Sequence, residues 1–326
     1  FNQPINTNGT VNLGTGGYTQ DGTSGLIING ATTISGTTTW SSTISFTGTT
    51  YVITLSNTLN ITGQVTFSQT GTLSFSVGVN TFNPTGNILV AHGTTTLPNS
   101  LNIVNLSIIP STTSPPTFNT NTINISGNLT LNSSTSGMFF GGTTNLVLNG
   151  SGSQTWSHSG TAMQLRNNLT ISASGTITIS GIVYYNTGIL TYTGGTVTTT
   201  SSTLNIAAST TLNTSGIPWN NITVTATSTL TLTSNLAWSG TFSITAGNTT
   251  FAGVGTMSGA ALSITTIGGT IILNNDITCT GLVTLGVGGG TGCTLSSSGG
   301  TRTIITSGGI RNATTSSFIT CNINIK

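Results

Sequence analysis

The chain has 326 residues, of which 2% are charged, and its net charge is +2. Its acidic and basic residues are Asp21, Arg166, Asp276, Arg302, Arg311 and Lys326. Ordinary globular chains carry about 25% charged residues. Nucleic-acid binding as a main role is excluded because Lys and Arg are not clustered. A membrane-spanning helix is excluded because no apolar run reaches the required length of about 18 residues.

The residue types favour strands over helices. Thr, Ser, Asn and Gly are weak helix formers, whereas Thr, Ile, Val and Phe suit strands. In "TATSTLTLTSNLAW", from Thr225 to Trp238, Leu230, Leu232 and Leu236 share one parity. Alternation with a period of two predicts that these leucines point into a core and that threonines form the outer face. The chain is therefore predicted to be all-β.

In chain order, the first predicted segment is an N-terminal arm or cap at residues 1–24, which is rich in Gly and Asn. Residues 25–326 are predicted to form a single solenoid rod. Three of the seven prolines lie in "PSTTSPPTF", from Pro110 to Phe118. Because proline cannot donate a hydrogen bond to a strand ladder, residues 110–118 are predicted to form a loop that bulges from one rung.

A short pattern recurs along the predicted rod: an amide or Asp, an aliphatic residue, any residue, and another apolar residue. It begins at Gln64, Asn87, Asn105, Asn128, Asn145, Asn168, Asn235 and Asp276. The sequence numbers of the first six differ by 23, 18, 23, 17 and 23, which gives double steps of 41, 41, 40 and 40. This regularity predicts a parallel β-solenoid with rungs of about 20 residues.

Two structural roles are open for these recurring polar residues. Stacked Asn and Gln side chains form hydrogen-bonded ladders along a parallel stack. Alternatively, Asn marks a corner before each strand, since it tolerates positive φ. Both hypotheses make the eight residues structural.

The sequence offers no chemistry that we assign to catalysis. Asp21 and Asp276 are 255 residues apart, and His92 and His158 are isolated from each other. A pair of carboxylates, a metal cluster and a catalytic triad all need such groups close together. We therefore predict no enzymatic activity, no metal and no cofactor.

The cysteines are Cys279, Cys293 and Cys321, an odd number that allows one internal bridge at most. Burial of these cysteines as small apolar residues is an equally open interpretation. Cys279 and Cys321 are 42 residues apart, which places them about two rungs, or roughly 10 Å, from each other. That distance is too long for a direct bridge, so a bond from Cys321 to a neighbouring subunit is a further hypothesis.

The sequence "FITCNINIK" at the end of the chain alternates apolar and polar residues. We predict that it forms a strand that pairs with another copy of the chain by β-augmentation. The residues assigned to this contact are Phe318, Ile319, Cys321, Ile323 and Ile325. A head-to-tail contact that does not close generates a filament, so the expected partners are copies of the same chain.

In composition and rung length, the chain resembles the low-charge, Ser/Thr/Gly/Asn-rich β-solenoids of secreted adhesins, the class of filamentous haemagglutinin and autotransporter passengers. The resemblance implies an extracellular or cell-surface location, with any signal peptide already removed before Phe1. We expect a non-enzymatic subunit of a self-assembling filament or sheath, with an adhesive role through surface or glycan contacts.

Two alternative functions are open. The first is a viral or phage fibre protein with the same architecture. The second is an ice- or surface-binding solenoid, because regular threonine arrays can order water. The threonines that suggest this second function alternate along one stretch of the chain: Thr223, Thr225, Thr227, Thr229, Thr231 and Thr233.

Overall fold

The computed structural model describes residues 5–7, 10–12, 25–35, 38–76, 81–97, 99–110, 115–134, 138–160, 163–215, 217–265, 268–286, 294–312, 318–319 and 323–326. Within these residues the regular elements are all strands, and none is a helix. The strands pair in parallel with strands about 22 residues further along the chain. The predicted all-β class and the predicted parallel β-solenoid are both confirmed.

The strand contacts divide the chain into two compact units. Unit 1 consists of Phe1–Asn167 and Ser172–Thr176, and unit 2 consists of Asn168–Ile171 and Ile177–Lys326. The sequence predicts one rod without a linker. Because the residue composition does not change where unit 2 begins, no sequence signal marks this division. Strand Leu169–Ser180 contributes residues to both units.

The rungs of unit 1 contribute short strands to three faces, which we call faces 1A, 1B and 1C. Face 1A comprises Ile5–Thr7, Leu26–Ile28, Ile44–Phe46, Val65–Phe67, Ile88–Val90, Leu106–Ile108, Leu129–Ser133 and Ser153–Gly160. Face 1B comprises Thr10–Asn12, Thr32–Ser35, Tyr51–Leu55, Thr72–Ser76, Thr94–Thr96 and Thr117–Asn119. Face 1C comprises Thr38–Trp40, Leu59–Ile61, Phe82–Pro84, Leu101–Ile103, Thr122–Ile125 and Asn145–Leu148. Phe139–Phe140 pairs with Gln164–Leu165.

Unit 2 has the same construction, with faces 2A, 2B and 2C. Face 2A comprises Ile189–Thr198, Thr210–Asn213, Thr229–Leu232, Thr249–Gly253, Thr270–Leu273, Thr294–Ser296 and Phe318–Ile319. Face 2B comprises Ile182–Tyr185, Thr203–Ile206, Asn221–Val224, the second halves of Leu236–Ile244 and Met257–Ile264, Val283–Leu285 and Ile310–Asn312. Face 2C comprises Pro218–Trp219, the first halves of Leu236–Ile244 and Met257–Ile264, Ile277–Cys279, Arg302–Thr306 and Ile323–Ile325.

Apolar side chains fill the interior of unit 1 because alternate residues of each strand point inward. Phe46 and Phe67 lie on successive rungs and stack with their ring centroids 5.3 Å apart. Phe118 meets the Phe67 ring edge-on at the same centroid distance of 5.3 Å. All three rings are fully buried. Removing such a side chain from water contributes about 1.5–3 kcal/mol, so these columns stabilise the stacking of rungs.

Unit 2 confirms the predicted alternation in the threonine-rich stretch. Leu230, Leu232 and Leu236 have no exposed surface, whereas Thr229 and Thr231 point outward. An aromatic contact continues this core, because Trp238 packs edge-on against Phe242 with centroids 5.1 Å apart. The threonines therefore form part of an outer face, as the periodicity indicates.

Rung length varies more than the regular spacing of the prediction suggests. Asn105 is hydrogen-bonded to Asn87 on the preceding rung, 18 residues away, and to Asn128 on the following rung, 23 residues away. The next such contact, between Asn128 and Thr155, spans 27 residues. The predicted step from Asn128 to Asn145 is therefore not a rung: this longer rung carries extra residues, and Asn145 begins a strand of the neighbouring face 1C.

Two predicted irregular segments contain strands. In the predicted arm, Ile5–Thr7 pairs with Leu26–Ile28, and Thr10–Asn12 pairs with residues 33–35. The other residues of the arm lie outside the described residues. In the predicted loop at 110–118, residues 111–114 are likewise not described, but Thr117–Asn119 is a strand of face 1B. Phe118 is fully buried there, so the loop is shorter than predicted.

Candidate binding surfaces

Four of the recurring polar residues form one column at the edge of face 1A in unit 1. Each precedes a strand, and the strand registers place Gln64, Asn87, Asn105 and Asn128 at equivalent positions in successive rungs. Asn105 is half-buried, and the other three side chains are exposed. The structure therefore brings these four side chains together at the surface, and we call them the amide column.

The amide column is joined by two kinds of hydrogen bond. Asn105 Nδ2 donates to Asn87 Oδ1 at 2.8 Å, which is a side-chain ladder contact. Asn105 Oδ1 accepts from the backbone N–H of Asn128 at 2.6 Å, and Asn128 Oδ1 accepts from Thr155 N–H at 2.8 Å. Gln64 Nε2 instead donates to Thr66 Oγ1 at 3.3 Å. The column thus uses both side-chain ladder bonds and bonds that satisfy the backbone of the next rung.

The amide column borders a surface groove with a volume of about 350 Å³. The groove is also lined by Leu89, Ser107, Ile109 and Thr130, together with the core residue Ile88. Ile109 is 41% exposed. Amide donors and acceptors next to aliphatic surface, without a charge, suit a neutral ligand that has both hydroxyl groups and C–H faces.

The other four recurring residues are distributed over both units. Asn145 lies at the start of its strand on face 1C. In unit 2, Asn168 Oδ1 accepts from Ile189 N–H at 2.9 Å. Asn235 and Asp276 occupy the same column of face 2C, two rungs apart. Their side-chain oxygens accept from the N–H groups of Thr256 at 3.0 Å and Thr303 at 2.9 Å.

The recurring sequence pattern misses several residues with the same roles. In unit 2, Asn221, Asn248 and Asn274 accept from the backbone N–H groups of Thr241, Thr270 and Ser298 at 2.8, 2.9 and 3.1 Å. In unit 1, side-chain ladder bonds of 2.8 Å link Asn83 to Asn60 and Asn124 to Asn102. These two pairs are 23 and 22 residues apart. The sequence signal for these two pairs is the recurrence of Asn at an interval of one rung, whatever the flanking residues are.

Face 2B of unit 2 carries a regular array of hydroxyl groups. One outward column passes through Thr223, Ser243, Ser263 and Thr284. Beside it, Thr225, Thr245 and Thr265 follow the ends of three successive strands, and each donates its backbone N–H to the preceding rung. We call these seven residues the hydroxyl face. All are exposed or half-buried.

The six threonines that suggested an ice-binding array do not form one array. Thr223 and Thr225 belong to face 2B, but the strand there ends at Val224, and Thr229 and Thr231 belong to face 2A. The hydroxyl face is instead continued across rungs by Ser243 and its neighbours. The corner between these two strands places the threonines before it and those after it on different faces.

The residues assigned to a contact between subunits lie in two places. Phe318 and Ile319 pair with residues 294 and 295 on face 2A. Ile323 and Ile325 pair with residues 302 and 304 on face 2C. Cys321 and Cys293 lie outside the described residues. The hypothesis that this segment pairs with another copy remains a prediction.

Titratable side chains in the described residues are dispersed. The described residues contain no group of three or more His, Cys, Asp or Glu side chains that could hold a metal ion. Burial lowers the pKa of His158 to about 4, against the opposing effect of its hydrogen bond with the Met163 carbonyl. Burial also raises the pKa of Cys279, a buried free thiol, to about 11. A neutral imidazole and a protonated thiol are the resulting forms near neutral pH.

Comparisons with known proteins identify no relative. No family model, no curated protein and no solved structure matches the chain. Over the described residues, no helix is both long and apolar enough to cross a membrane. The surfaces described above are therefore the basis for any functional proposal.

Proposed function

We propose that the protein is a non-enzymatic structural protein of the cell exterior that assembles laterally with copies of itself. The observation that carries this proposal is the long uncharged segment of unit 1: residues 22–165 contain no Asp, Glu, Lys or Arg, and the charged residues Asp21 and Arg166 lie at its two ends. Charges dispersed over the surface keep soluble proteins from associating with one another. The outer faces of unit 1 lack this protection.

Exposed aliphatic side chains on unit 1 support the same proposal. Val52 on face 1B is 47% exposed, and Val104 and Ile109 are 44% and 41% exposed. Val52 is paired with Ser74 of the next rung, and Ile109 lies in the groove with Ser107 and Thr130. Such hydroxyl groups can hydrogen-bond to equivalent groups on a second copy. Because the outer positions recur with the strand spacing of about 4.8 Å, two such faces can match over several rungs.

Sedimentation velocity over a concentration series, with electron microscopy of the same samples, tests this proposal. We expect concentration-dependent assemblies with regular lateral order. Val52→Lys places a charge on face 1B and is expected to weaken association, because opposed like charges repel. The matched control Val52→Thr keeps the face neutral and is expected to associate as the unmodified chain does. A chain that stays monomeric, or assemblies that are unaffected by Val52→Lys, would contradict assembly through this face.

A second function, adhesion to glycans, is favoured by the amide column and its groove. Amide groups can donate to and accept from sugar hydroxyls, and exposed Ile109 offers an apolar contact for a sugar C–H face. Screening on a glycan array tests this function directly. Asn87→Ala is expected to reduce binding, whereas Asn83→Ala, which removes an amide from face 1C, serves as the control. Equal losses in both variants would contradict a site in the groove.

A further inference from the structure

We propose that the hydroxyl face of unit 2 binds ice. The face is a two-dimensional array with two neighbouring columns of Thr and Ser hydroxyls. The proposal concerns a different unit and a different ligand from lateral assembly and glycan binding, so it does not rest on the proposed function.

Regular strand geometry gives the column of Thr223, Ser243, Ser263 and Thr284 one repeat distance, because successive rungs of a parallel sheet are about 4.8 Å apart. Thr225, Thr245 and Thr265 follow the strand ends at Val224, Ile244 and Ile264 and form the second column beside it. The rungs of this face are nearly equal in length: hydrogen bonds between adjacent rungs join Thr225 to Asn205 and Thr241 to Asn221, each across 20 residues. Thr223, Ser243 and Ser263 are accordingly paired in register. The hydroxyls therefore form a periodic array, which is what a crystalline ligand such as ice requires of its receptor.

Internal hydrogen bonds hold some of the hydroxyls in equivalent orientations. Thr245 Oγ1 donates to the Val224 carbonyl of the preceding rung at 3.1 Å. Thr225 Oγ1 donates to Asn205 Oδ1 at 3.0 Å and lies 3.4 Å from the Ile206 carbonyl of its own preceding rung. Rotamers that are fixed before binding lose less entropy when a rigid surface is bound. The remaining hydroxyl lone pairs and the threonine methyl groups are then presented in register.

The chemistry of the hydroxyl face favours ice over other extended ligands. Its seven residues include no charged side chain, and the nearest charge in the register of the column is Arg311, which pairs with Thr284 at one end of the array. The array itself therefore offers no ionic attraction to phosphate, sulfate or a mineral surface. The seven residues include no aromatic ring on which a sugar could stack; the nearest ring in this column is Tyr184, two rungs before Thr223. Hydroxyl and methyl groups can order a layer of water but provide little specificity for other ligands. A lattice of water molecules therefore fits this surface best.

Thermal hysteresis and inhibition of ice recrystallisation, measured on the purified chain, test the proposal. We expect both activities in the unmodified chain. Ser243→Tyr inserts a bulky ring in the middle of the array and is expected to abolish them. Ser243→Thr preserves the hydroxyl, adds a methyl group and is expected to retain or increase them. Circular dichroism and thermal melting check that each variant is folded.

Thr54→Tyr is the matched control, because Thr54 is an exposed strand residue on face 1B of unit 1. It is expected to leave both ice activities unchanged. Absence of activity in the unmodified chain, or an equal loss in Thr54→Tyr and Ser243→Tyr, would overturn the proposal. The proposal would also be overturned if the unmodified chain showed no thermal hysteresis but bound crystalline polysaccharide, and Ser243→Tyr abolished that binding. Lateral assembly, followed with Val52→Lys, is measured separately, so either proposal can fail while the other stands.

Discussion

Units 1 and 2 share one construction but use their polar side chains differently. In unit 1, amide side chains also bond to one another between rungs, as Asn105 does with Asn87. In the described part of unit 2, the corresponding amides mostly accept backbone N–H groups, as Asn235 does from Thr256. On face 2B, the outward column that includes Asn205 continues with the hydroxyls of Thr223, Ser243 and Ser263. The same parallel scaffold can therefore carry different surfaces, because its core depends only on the inward residues.

The largest expected effect on stability tests whether the stacked rungs are held together by their buried side chains. Phe67→Ala in unit 1 removes a fully buried ring that contacts Phe46 and Phe118. We expect the free energy of unfolding to fall by about 3–5 kcal/mol, since a large cavity remains among the neighbouring rings. Chemical denaturation measures this change.

The control for this prediction is Val52→Ala, because Val52 is 47% exposed and its truncation leaves no cavity. Its effect is expected to stay within about 0.5 kcal/mol. If Phe67→Ala had an equally small effect, the rungs would not be held together by their aromatic core, and the comparison of surfaces on a common scaffold would lose its basis.

Sequence periodicity predicted this scaffold because its signals are local. Leu230 and Leu232 alternate with threonine along one strand, and this alternation alone identifies the buried side. The regular steps from Gln64 to Asn128 likewise correspond to stacked strands. Prediction failed at Asn145, because the intervals assigned 17 residues to the rung after Asn128, whereas strand pairing joins Leu129 to Trp156.

The surfaces were harder to predict because they depend on register between rungs. The alternation of threonines along the chain predicted that Thr223 and Thr231 belong to one array, but a corner separates them. The alternation also missed Ser243 and Ser263, which continue the hydroxyl column with a different residue type. Which residues share a face is determined by strand pairing between whole rungs, and a single sequence does not contain that information explicitly.

A second prediction distinguishes the units by acid sensitivity. Both histidines of the chain, His92 and His158, belong to unit 1. Burial lowers the folded-state pKa of His158 from 6.5 to about 4. Between these values the unfolded chain binds a proton that the folded chain does not, so stability falls as the pH drops from 6.5 towards 4 and is fully present above 6.5.

Hydrogen exchange with mass spectrometry, corrected for the intrinsic pH dependence of exchange, measures this difference. Protection is expected to decrease in unit 1 as the pH falls through this range, and to change less in unit 2. His158→Gln should remove the additional sensitivity of unit 1, whereas His92→Gln should retain it. Equal acid sensitivity in both units would show that His158 does not distinguish them.

The smallest expected effect on stability comes from a pair of reciprocal substitutions, Asn to Asp in unit 1 and Asp to Asn in unit 2. The pair compares side-chain ladder bonds with bonds that satisfy the backbone. Asn105 in unit 1 both donates to Asn87 and accepts from Asn128 N–H. Asn105→Asp keeps the acceptor, loses the donor and places a carboxylate oxygen against Asn87 Oδ1. We expect it to lower the free energy of unfolding by about 0.5–1.5 kcal/mol.

The reverse change in unit 2, Asp276→Asn, should have little effect. Asp276 Oδ1 accepts from Thr303 N–H at 2.9 Å, and the amide oxygen of asparagine can accept the same bond. Asp276→Ala removes the acceptor and is expected to lower the free energy of unfolding by about 1 kcal/mol, as denaturant titration would show. If Asp276→Asn were as destabilising as Asp276→Ala, the negative charge itself would be required, and unit 2 would not depend on neutral backbone capping at this position.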